Sequence, residues 1–347
     1  MKKNEVLIIT TAHDAEDGRL VRHKNVFERN GIRSTVVSIP MSSRVKRFVM
    51  GPIQAYLLIK KFKPDCVILP DPELHLLLPF FLKKKTLVIS DVHEAYDLVI
   101  EDREWMVTWL KPFFLYLIKA ATYVRNRWSD SVIVADTSLQ KNDEIHVGNR
   151  PNSLDLNYEQ PSELSNRVIY VGDIRRSRGL EEMLNLVEIT PEIFLDLIGP
   201  CREFDDLNKE IEKRGLSKRV SWHGRLSYES SWKIASNALA GLSLLRPTPA
   251  FENSIPTKIW EYWAVGLPVL GSNLSGQARV IAESGGGFVG DVEQLSKVIV
   301  NFIEDPAYSR RIGQAGRIYF EENDDGSEER LLDLVRTRLG SPSSSIL

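Results

Sequence analysis

The chain has 347 residues, of which 43% are hydrophobic and 27% charged, and its formal net charge is −2. This length exceeds one ordinary domain and suits two domains of about 150–180 residues each. The composition excludes a disordered chain, a fibre and a polybasic nucleic-acid-binding protein. Residues 1–150 have a net positive charge, with 23 Lys and Arg against 18 Asp and Glu, whereas residues 151–347 are net acidic. This asymmetry indicates different partners for the two halves.

Short apolar runs alternate with amphipathic stretches in the first half, which is typical of a parallel, doubly wound sheet. Strands are predicted at Val6–Ile9, Thr35–Ile39, Cys66–Leu69, Thr86–Ile89 and Ser131–Ala135, and helices near residues 19–30, 50–62, 73–82 and 106–127. The first apolar run is too short for a signal-peptide core, and no window approaches the roughly 20 apolar residues of a membrane span. We therefore expect a cytoplasmic protein.

The same alternation begins again in the second half. Strands are predicted at Arg167–Val171, Phe194–Ile198, Val220–Trp222, Gly241–Leu245, Pro268–Gly271 and Gly287–Val289, and helices near residues 179–188, 203–214, 228–238, 256–264, 292–303 and 307–321. The predicted organisation is an N-terminal domain (1–150), a linker rich in Asn and Pro (151–166), a C-terminal domain (167–325), and a C-terminal helix with a frayed tail (326–347). Packing of that helix back on the first domain is one option. Two such sheets are expected to face each other across a cleft at the carboxyl ends of their strands.

The segment VGDIRRSRG, residues 171–179, places three arginines between a strand and a helix. Arg175, Arg176 and Arg178 could bind phosphate oxygens, and Gly179 opens a helix whose N-terminus favours anions. The segment therefore indicates a diphosphate site. A solvated basic turn is the alternative, and the two are equally well supported by this segment alone. The GxGxxG and Walker patterns are absent.

A second segment, NSIPTKIWEYWAVGLPVLG, covers residues 253–271. Pro256 suits the first helical turn and Ser254 is a plausible helix cap. Lys258 and Glu261 lie three residues apart on one face of this short, apolar helix, where burial without partners is costly. On spacing alone, an exposed Lys–Glu pair is the favoured interpretation.

These two segments, in this order, resemble the family 4 (group 1) retaining glycosyltransferases. The resemblance implies the GT-B fold, with two Rossmann-like doubly wound domains. It implies that Glu261 binds the ribose hydroxyls of a nucleotide donor, and that Arg178, with Arg175 or Arg176, binds the diphosphate; Lys258 is a further phosphate candidate. Two positions depart from the family pattern. Asn253 stands where the first Glu of the family's Glu-x7-Glu motif is expected, and Asp173 replaces the usual Arg after the strand.

The resemblance extends into the first half of the chain. DCVILPDPEL, residues 65–74, resembles a family strand and helix start, and SDVHEAY, residues 90–96, resembles a family loop. By this resemblance His93 contacts the transferred sugar or its phosphate, and Glu94 shapes the acceptor side. The loop containing Asp17 and Arg19 also resembles a family loop, one that faces the donor phosphates. The turn at Asn149 resembles a further turn of the family. His93 on its own is more often a structural residue.

The family resemblance implies a transferase with His93 and Asn253 at the reacting sugar. The donor would be a UDP- or GDP-linked sugar and the acceptor a glycan, a lipid-linked molecule or a small molecule, without nucleic acid. No metal is expected, because arginines, a lysine and a helix N-terminus would stabilise the departing diphosphate. A nucleotide-sugar epimerase of the same fold and a non-catalytic binding or scaffold subunit remain as alternatives. The departures at Asn253 and Asp173 favour the second of these.

Basic residues flank apolar and aromatic helical stretches in the first half. The basic residues are Arg44, Lys46, Arg47, Lys60, Lys61, Lys63 and Lys83–Lys85, and the stretches are residues 48–50, 76–82 and 105–119. This pattern is typical of interfacial helices on anionic lipid, so it favours peripheral attachment to the inner face of the cell membrane. A doubly wound sheet also needs apolar helix faces rimmed by lysines, which is the alternative. An acceptor held in the membrane would place the enzyme in cell-envelope or surface-polysaccharide synthesis.

Overall fold

The computed structural model describes residues 5–41, 44–81, 86–93, 111–135, 140, 143–148, 150–151, 156, 165–201, 203–204 and 206–339. The chain divides into two compact units. The first unit comprises Met1–Asn149 and Asp325–Leu347, and the second comprises Arg150–Asp324. None of the described helices is both long and apolar enough to cross a membrane.

The first unit contains a six-stranded parallel sheet with the strand order β2-β1-β3-β4-β5-β6. The strands are β1 (Glu5–Thr10), β2 (Arg33–Ser38), β3 (Cys66–Leu69), β4 (Leu87–Val92), β5 (Ser131–Val134) and β6 (Ile145–His146). Helices α1 (Gly18–Arg29), α2 (Arg44–Phe62) and α3 (Lys111–Trp128) belong to the same unit, with a 3-10 helix at Pro72–Phe81. The chain passes from one side of β1 to the other between β2 and β3. The carboxyl ends of β1 and β3 therefore form the crevice where doubly wound sheets bind ligands.

Strand β1 shows why this sheet is central to the unit. Val6 and Ile8 pack into one apolar cluster, and Leu7 and Ile9 pack into another. Successive side chains of a strand point to opposite faces, so both faces of β1 are covered. The continuous apolar run from Val6 to Ile9 is the pattern expected for a strand of a buried parallel sheet.

The second unit contains another six-stranded parallel sheet, with the order β12-β11-β10-β7-β8-β9. Its strands are β7 (Arg167–Val171), β8 (Phe194–Ile198), β9 (Val220–Trp222), β10 (Ala240–Ser243), β11 (Val269–Gly271) and β12 (Gly287–Val289). Its helices are α4 (Leu180–Ile189), α5 (Leu207–Lys213), α6 (Tyr228–Ala235), α7 (Thr257–Ala264), α8 (Ser275–Ser284), α9 (Val292–Glu304) and α10 (Pro306–Glu322), with a 3-10 turn at Arg176–Arg178. In chain order the strands are arranged 3-2-1-4-5-6, as in dinucleotide-binding folds. The crevice of this sheet lies between the carboxyl ends of β7 and β10.

The last helix, α11 (Ser327–Leu339), belongs to the first unit. Its Leu331 and Val335 are buried in the same cluster as Phe27 of α1. Arg330 donates to the carbonyl oxygen of His146 at 2.7 Å. The chain therefore begins and ends in one unit.

The predicted doubly wound α/β class is confirmed, with several local differences, among them helix α8 (Ser275–Ser284), which was not predicted. The helix predicted near 73–82 is a 3-10 helix that contains Pro79, which cannot donate an α-helical backbone hydrogen bond. Helix α2 begins at Arg44, earlier than predicted. Strand β6 was not predicted, because its two residues are too few to show a periodic pattern.

Gly179 joins the 3-10 turn to α4 with a φ of +86°. A Cβ at this position would overlap the backbone carbonyl oxygen of Leu244, just after β10. Gly179 therefore meets two requirements: a left-handed backbone, and close contact between the start of α4 and the end of β10. Gly215, after α5, has a φ of +69° but nothing within 4 Å of a Cβ.

We predict that Gly179→Ala destabilises the protein much more than Gly215→Ala. Both substitutions carry the left-handed strain of roughly 1–2 kcal/mol, but Gly179→Ala adds overpacking of about 1–3 kcal/mol. Urea unfolding followed by circular dichroism compares the two variants with the parent. Equal losses of unfolding free energy would show that the Leu244 contact relaxes without cost.

Candidate functional site

Helix α7 is buried at most of its positions, and Thr257 and Trp260 are its partly exposed residues. Ile259, Tyr262 and Trp263 are completely buried, and Lys258 and Glu261 are only 6% and 7% exposed. The prediction of an exposed Lys–Glu pair is therefore wrong. The helix presents two charged side chains inside the protein, where each needs a partner or a ligand.

Lys258 is the more unusual of the two. Its Nζ is buried and has no hydrogen-bond partner among the described residues. It lies 3.6 Å from the ring centroid of Tyr170, which offers a weak cation–π contact. Burial lowers the pKa of this ammonium well below its usual value, and the charge of Arg178 lowers it further, although Glu261 and Asp173 oppose the shift. The Lys258 amine is thus buried without a hydrogen bond to any anion among the described residues.

Arg178 and Gly172 complete the surroundings of this ammonium. Burial raises the pKa of the Tyr170 hydroxyl to about 12, and the nearby guanidinium of Arg178 acts in the opposite direction. Tyr170 and Lys258 both interact with Arg178, so two cations lie close together. A Cβ on Gly172 would lie 3.3 Å from Lys258 Nζ, so the glycine leaves space beside the ammonium. An anion with several oxygens, such as a diphosphate, would relieve the repulsion between the two cations.

The other two arginines of the loop have acidic partners. Arg175 forms an ion pair with Asp173, and its side chain is 43% exposed. Arg176 Nε lies 3.3 Å from Glu181 Oε1, and its guanidinium covers the ring of Phe204. Of the three predicted arginines, the structure therefore brings Arg178 to Lys258. Arg176 lies against other partners.

Glu261 is held by a residue that the sequence did not single out. The hydroxyl of Tyr228, at the start of α6, donates to Glu261 Oε1 at 3.0 Å. A buried carboxylate oriented by one hydroxyl can accept further hydrogen bonds from the hydroxyls of a ligand.

The start of α7 differs from the prediction. The helix is capped by Pro256 without a side-chain hydrogen bond, and the Ser254 hydroxyl donates instead to the carbonyl oxygen of Phe251. The prediction that Ser254 caps the helix is therefore wrong. An N-terminus without a side-chain cap leaves backbone N–H groups for water or a ligand.

Glu252 and Asn253 lie in the loop between β10 and α7, next to the start of α8. Glu252 Oε1 accepts from the backbone N–H and the hydroxyl of Ser275 at 3.2 Å and 2.5 Å, and these bonds lower the pKa of the carboxyl group. Asn253 has an exposed side chain, while its carbonyl oxygen packs closely on Gly276. Glu252 thus closes the N-terminus of α8, and the side chain at the expected position of the family's first Glu is an amide facing outward.

His93 directly follows β4, at the carboxyl edge of the first sheet. Its Nε2 lies 3.0 Å from Nε2 of His13, a residue that follows β1 and that sequence reasoning missed. Its position was the only signal that the sequence offered for His13. The residue follows β1, the strand beside which the strand order reverses. Glu94 and Asn149, which were also predicted to contribute, lie outside the described residues.

Arg19, from the predicted phosphate-facing loop, is buried in a structural ion pair. Its guanidinium contacts Asp91 Oδ1 at 2.6 Å and donates to the carbonyl oxygen of Val147 at 3.0 Å. His23 lies 3.2 Å from the same carboxylate. Although burial alone would raise the pKa of Asp91, Arg19 and His23 hold it well below its usual value. Arg19 therefore joins α1 to the end of β4.

Residues 157–319 match the family model described as "Glycosyl transferases group 1". The lipopolysaccharide core biosynthesis glycosyltransferase LpsE of Rhizobium meliloti (strain 1021) is 24% identical over 153 residues. That alignment covers 43% of this chain and 43% of LpsE, so the matched segment spans less than half of this curated relative.

Solved structures resemble the chain over nearly its whole length. Sucrose-phosphate synthase from Thermosynechococcus elongatus has a TM-score of 0.72 at 14% identity, covering 98% of this chain and 100% of that one. WaaG, a glycosyltransferase involved in lipopolysaccharide biosynthesis, has a TM-score of 0.67 at 13% identity, covering 95% and 99%. HepE from Anabaena in complex with UDP has a TM-score of 0.64 at 14% identity, covering 97% and 100%. The resemblance seen in the sequence is thus confirmed over residues 157–319, which match the group 1 glycosyltransferase model, and the chain has the GT-B fold of these structures.

Proposed function

We propose that this protein is a retaining glycosyltransferase, which moves a sugar from a nucleoside-diphosphate sugar to an acceptor hydroxyl. The observation on which this proposal depends is the buried, unpaired ammonium of Lys258 beside Arg178. A buried ammonium without a hydrogen-bond partner among the described residues, next to a guanidinium, suits a ligand with at least two negative charges. The group 1 domain in the same unit favours the diphosphate of a sugar donor over other anions.

The proposed donor contacts follow from the residues around Lys258. Arg178 and Lys258 bind the diphosphate, with Arg175 and Arg176 at the margin. Glu261, oriented by Tyr228, accepts hydrogen bonds from the ribose hydroxyls. The neighbouring structures with bound UDP or UDP-glucose support a uridine nucleotide over a guanosine nucleotide.

In the proposed reaction, the bond between the anomeric carbon and the diphosphate oxygen breaks while the acceptor oxygen attacks on the same face. The acceptor proton passes to the departing phosphate oxygen. Negative charge grows on the diphosphate as the bond breaks, so Arg178 and Lys258 stabilise the transition state more than the ground state. By family resemblance, His93 and Asn253 contact the transferred sugar.

The acceptor belongs, in this proposal, to cell-envelope or surface-polysaccharide synthesis. The support is the pair of names among the similar proteins, LpsE for lipopolysaccharide core biosynthesis and WaaG for lipopolysaccharide biosynthesis. The acceptor is then a glycan or a lipid-linked precursor. We further propose that the protein works at the inner face of the membrane, because such acceptors are held there.

The first test is a panel of UDP, GDP, ADP and their sugars in a thermal-shift assay. A nucleotide at a hundred times its dissociation constant adds roughly 2.7 kcal/mol of stability. Release of nucleoside diphosphate from a bound donor, with and without candidate acceptors, then tests for transfer. Retention is tested by NMR assignment of the anomeric configuration of the product. A donor that is only isomerised would indicate an epimerase instead.

A non-catalytic binding subunit is the second candidate function. The motivating observation is that the Glu252 carboxylate is used at the start of α8 and only an amide follows at Asn253. Such a subunit would bind a nucleotide sugar without releasing its nucleotide. Binding without release, for every donor and acceptor tried, would favour this candidate over the transferase.

The proposed membrane surface is a set of exposed apolar side chains on the first unit. Ten of the thirteen large exposed hydrophobic side chains in the described residues lie on three elements of this unit: Val49, Met50, Ile53, Leu57 and Phe62 on α2, Leu76 and Phe80 on the 3-10 helix, and Phe113, Tyr116 and Tyr123 on α3. The elements adjoin one another, since the rings of Phe48 and Phe114 lie 5.9 Å apart and those of Tyr56 and Phe80 lie 5.7 Å apart.

The charges on these elements match an anionic lipid surface. Neither α2 nor α3 contains an acidic residue, and basic side chains border the apolar ones at Lys46, Lys60, Lys61, Lys63, Lys111, Lys119 and Arg127. Glu73, the acidic residue of the 3-10 helix, is completely buried and lies 2.6 Å from Arg47. Each cation near anionic lipid contributes about 1 kcal/mol, and the apolar side chains add to this by inserting among the headgroups.

We predict that Lys258→Met raises the thermal midpoint of the nucleotide-free protein and weakens UDP binding about ten- to a hundredfold. Methionine keeps an unbranched stem against Tyr170 but removes the buried charge, and the lost charge-assisted hydrogen bond is worth roughly 1.5–3 kcal/mol. Differential scanning fluorimetry with and without UDP measures both effects. Lys218→Met, at an exposed position of the same unit, is the control and should change neither. A lower thermal midpoint for Lys258→Met would show that the lysine is structural.

We also predict that Arg178→Ala weakens UDP binding by about tenfold or more but leaves uridine binding unchanged, because only UDP carries the diphosphate. Glu261→Gln should weaken both ligands, since both contain the ribose. Isothermal titration calorimetry measures the four affinities. Arg176→Ala is the matched control, and its loss should be smaller because Arg176 contacts Glu181 and Phe204. Equal effects of Arg178→Ala on UDP and uridine would remove Arg178 from the phosphate site.

The membrane proposal predicts that the protein co-sediments with vesicles containing phosphatidylglycerol and that salt reduces this binding. Val49→Glu combined with Phe113→Glu should lower the bound fraction about tenfold, because both side chains are more than half exposed and belong to the apolar surface. Ile318→Glu, at an exposed position of the second unit, should have no effect. If the parent protein does not bind even at low ionic strength, this surface does not contact lipid.

A further inference from the structure

His13 lies in the loop between β1 and α1, and its backbone is fixed on both sides. Its N–H donates to Thr10 Oγ1 at 2.9 Å, and its carbonyl oxygen accepts from the Ser38 hydroxyl at 2.7 Å. The ring therefore projects from a well-defined position at the carboxyl edge of the first sheet. Nothing in the family resemblance assigned a role to this residue.

Both nitrogens of the His13 ring face polar partners. Nδ1 lies 3.2 Å from Asp17 Oδ2, and Nε2 lies 3.0 Å from His93 Nε2. Asp71 Oδ1 is farther from the same Nε2, at 3.5 Å. The two imidazole rings meet edge to face, with centroids 4.8 Å apart and planes at 70°. Asp17, His13 and His93 thus form a continuous chain of contacts.

The hydrogen-bonding capacity of these three side chains sets the tautomer of each ring. An ionised carboxylate can only accept hydrogen bonds. Burial alone would raise the pKa of Asp17, but its hydrogen bond with His13 and the charges of His13, His93 and Arg22 hold that pKa well below its usual value. Asp17 is therefore ionised at neutral pH, and Nδ1 of His13 carries a proton. In the neutral ring, Nε2 of His13 then carries a lone pair and can accept a hydrogen bond.

We propose that His13 is a positioning residue for His93: it accepts a hydrogen bond from His93 Nε2–H and so holds the His93 ring with its Nδ1 as the acceptor. Without this contact the His93 ring could rotate about its side-chain bonds and exchange between its two neutral tautomers. The Asp17 carboxylate sets the donor-to-acceptor direction of both hydrogen bonds, because it keeps the proton of His13 on Nδ1. This is the general arrangement in which a carboxylate orients one histidine, extended here by a second histidine.

The consequence for activity rests on the proposed transferase function. If His93 contacts the transferred sugar, a fixed acceptor nitrogen helps to align that sugar during transfer. Loss of His13 should then lower kcat about ten- to a hundredfold, in the range expected for a small misplacement of a reacting group. Affinity for UDP should stay unchanged, because the proposed diphosphate and ribose contacts come from the second unit.

The decisive experiment needs no substrate. The full chain is labelled with ¹⁵N-histidine, kept in EDTA to exclude bound metal, and its ring tautomers are read from long-range ¹H–¹⁵N spectra. His93→Gln identifies the His93 signals by their loss. In the parent protein, His93 should be protonated at Nε2, and His13→Ala should convert it to a mixture of tautomers.

Two conservative variants complete the experiment. Asp17→Asn preserves a residue able to cap α1 but can offer an amide N–H to His13 Nδ1, so the chain should reverse and leave His93 protonated at Nδ1. His13→Gln keeps an acceptor near His93, so it should retain the parent tautomer and more of kcat than His13→Ala. An unchanged His93 tautomer in both His13→Ala and Asp17→Asn, or Nδ1 protonation in the parent, would overturn the proposal. These spectra remain informative if no transferase activity is found, so the two proposals can fail separately.

Discussion

The second unit is organised around the burial of one ammonium group. Removing an unpaired cation from water is costly, and the cost persists unless the group meets an anion or loses its proton. Lys258 is held in this environment by α7, which is fixed to the sheet by the Tyr262 hydroxyl. That hydroxyl accepts from the backbone N–H of Val171 at 3.1 Å and lies 3.3 Å from the carbonyl oxygen of Leu242. Tyr262 therefore connects α7 to β7 and β10, the two strands that form the crevice.

Buried charges in the first unit have a different character, because the protein itself supplies their partners. Asp91 has Arg19 and His23, and Asp71 Oδ2 accepts from the Thr10 hydroxyl at 2.8 Å and from the backbone N–H of Thr11 at 2.7 Å. Satisfied networks of this kind rigidify a loop edge and hold side chains such as His13 in place. The first sheet edge is thus pre-organised, whereas the second contains a buried amine without a hydrogen-bond partner among the described residues. The proposed function requires both properties: a rigid edge that aligns the sugar and a cationic edge that binds the diphosphate.

The sequence predicted the fold well wherever a pattern extended over several residues. Strands Cys66–Leu69, Arg167–Val171 and Phe194–Ile198 have their predicted bounds, because buried parallel strands are mostly apolar and have clear ends. It predicted Lys258, Glu261 and Arg178 as candidates, but spacing alone favoured an exposed pair, since periodicity does not report how deeply a short helix is buried. Tyr228 and His13 were missed for another reason. Each acts through a contact with a residue distant in sequence, and one sequence contains no signal for such pairs.

Glu252 shows that a carboxylate next to the expected position of a motif residue can have a different structural role. A carboxylate one residue before the expected position resembles a displaced equivalent, but its oxygen is already bound by Ser275. Leu274, which precedes α8, has no side chain able to cap that helix, so Glu252 performs this task. In the proposed donor site the sugar would then meet the amide of Asn253, which both donates and accepts hydrogen bonds and carries no charge. A neutral group there places less negative charge near the diphosphate, so it would tolerate the growing charge on the leaving group better than a carboxylate.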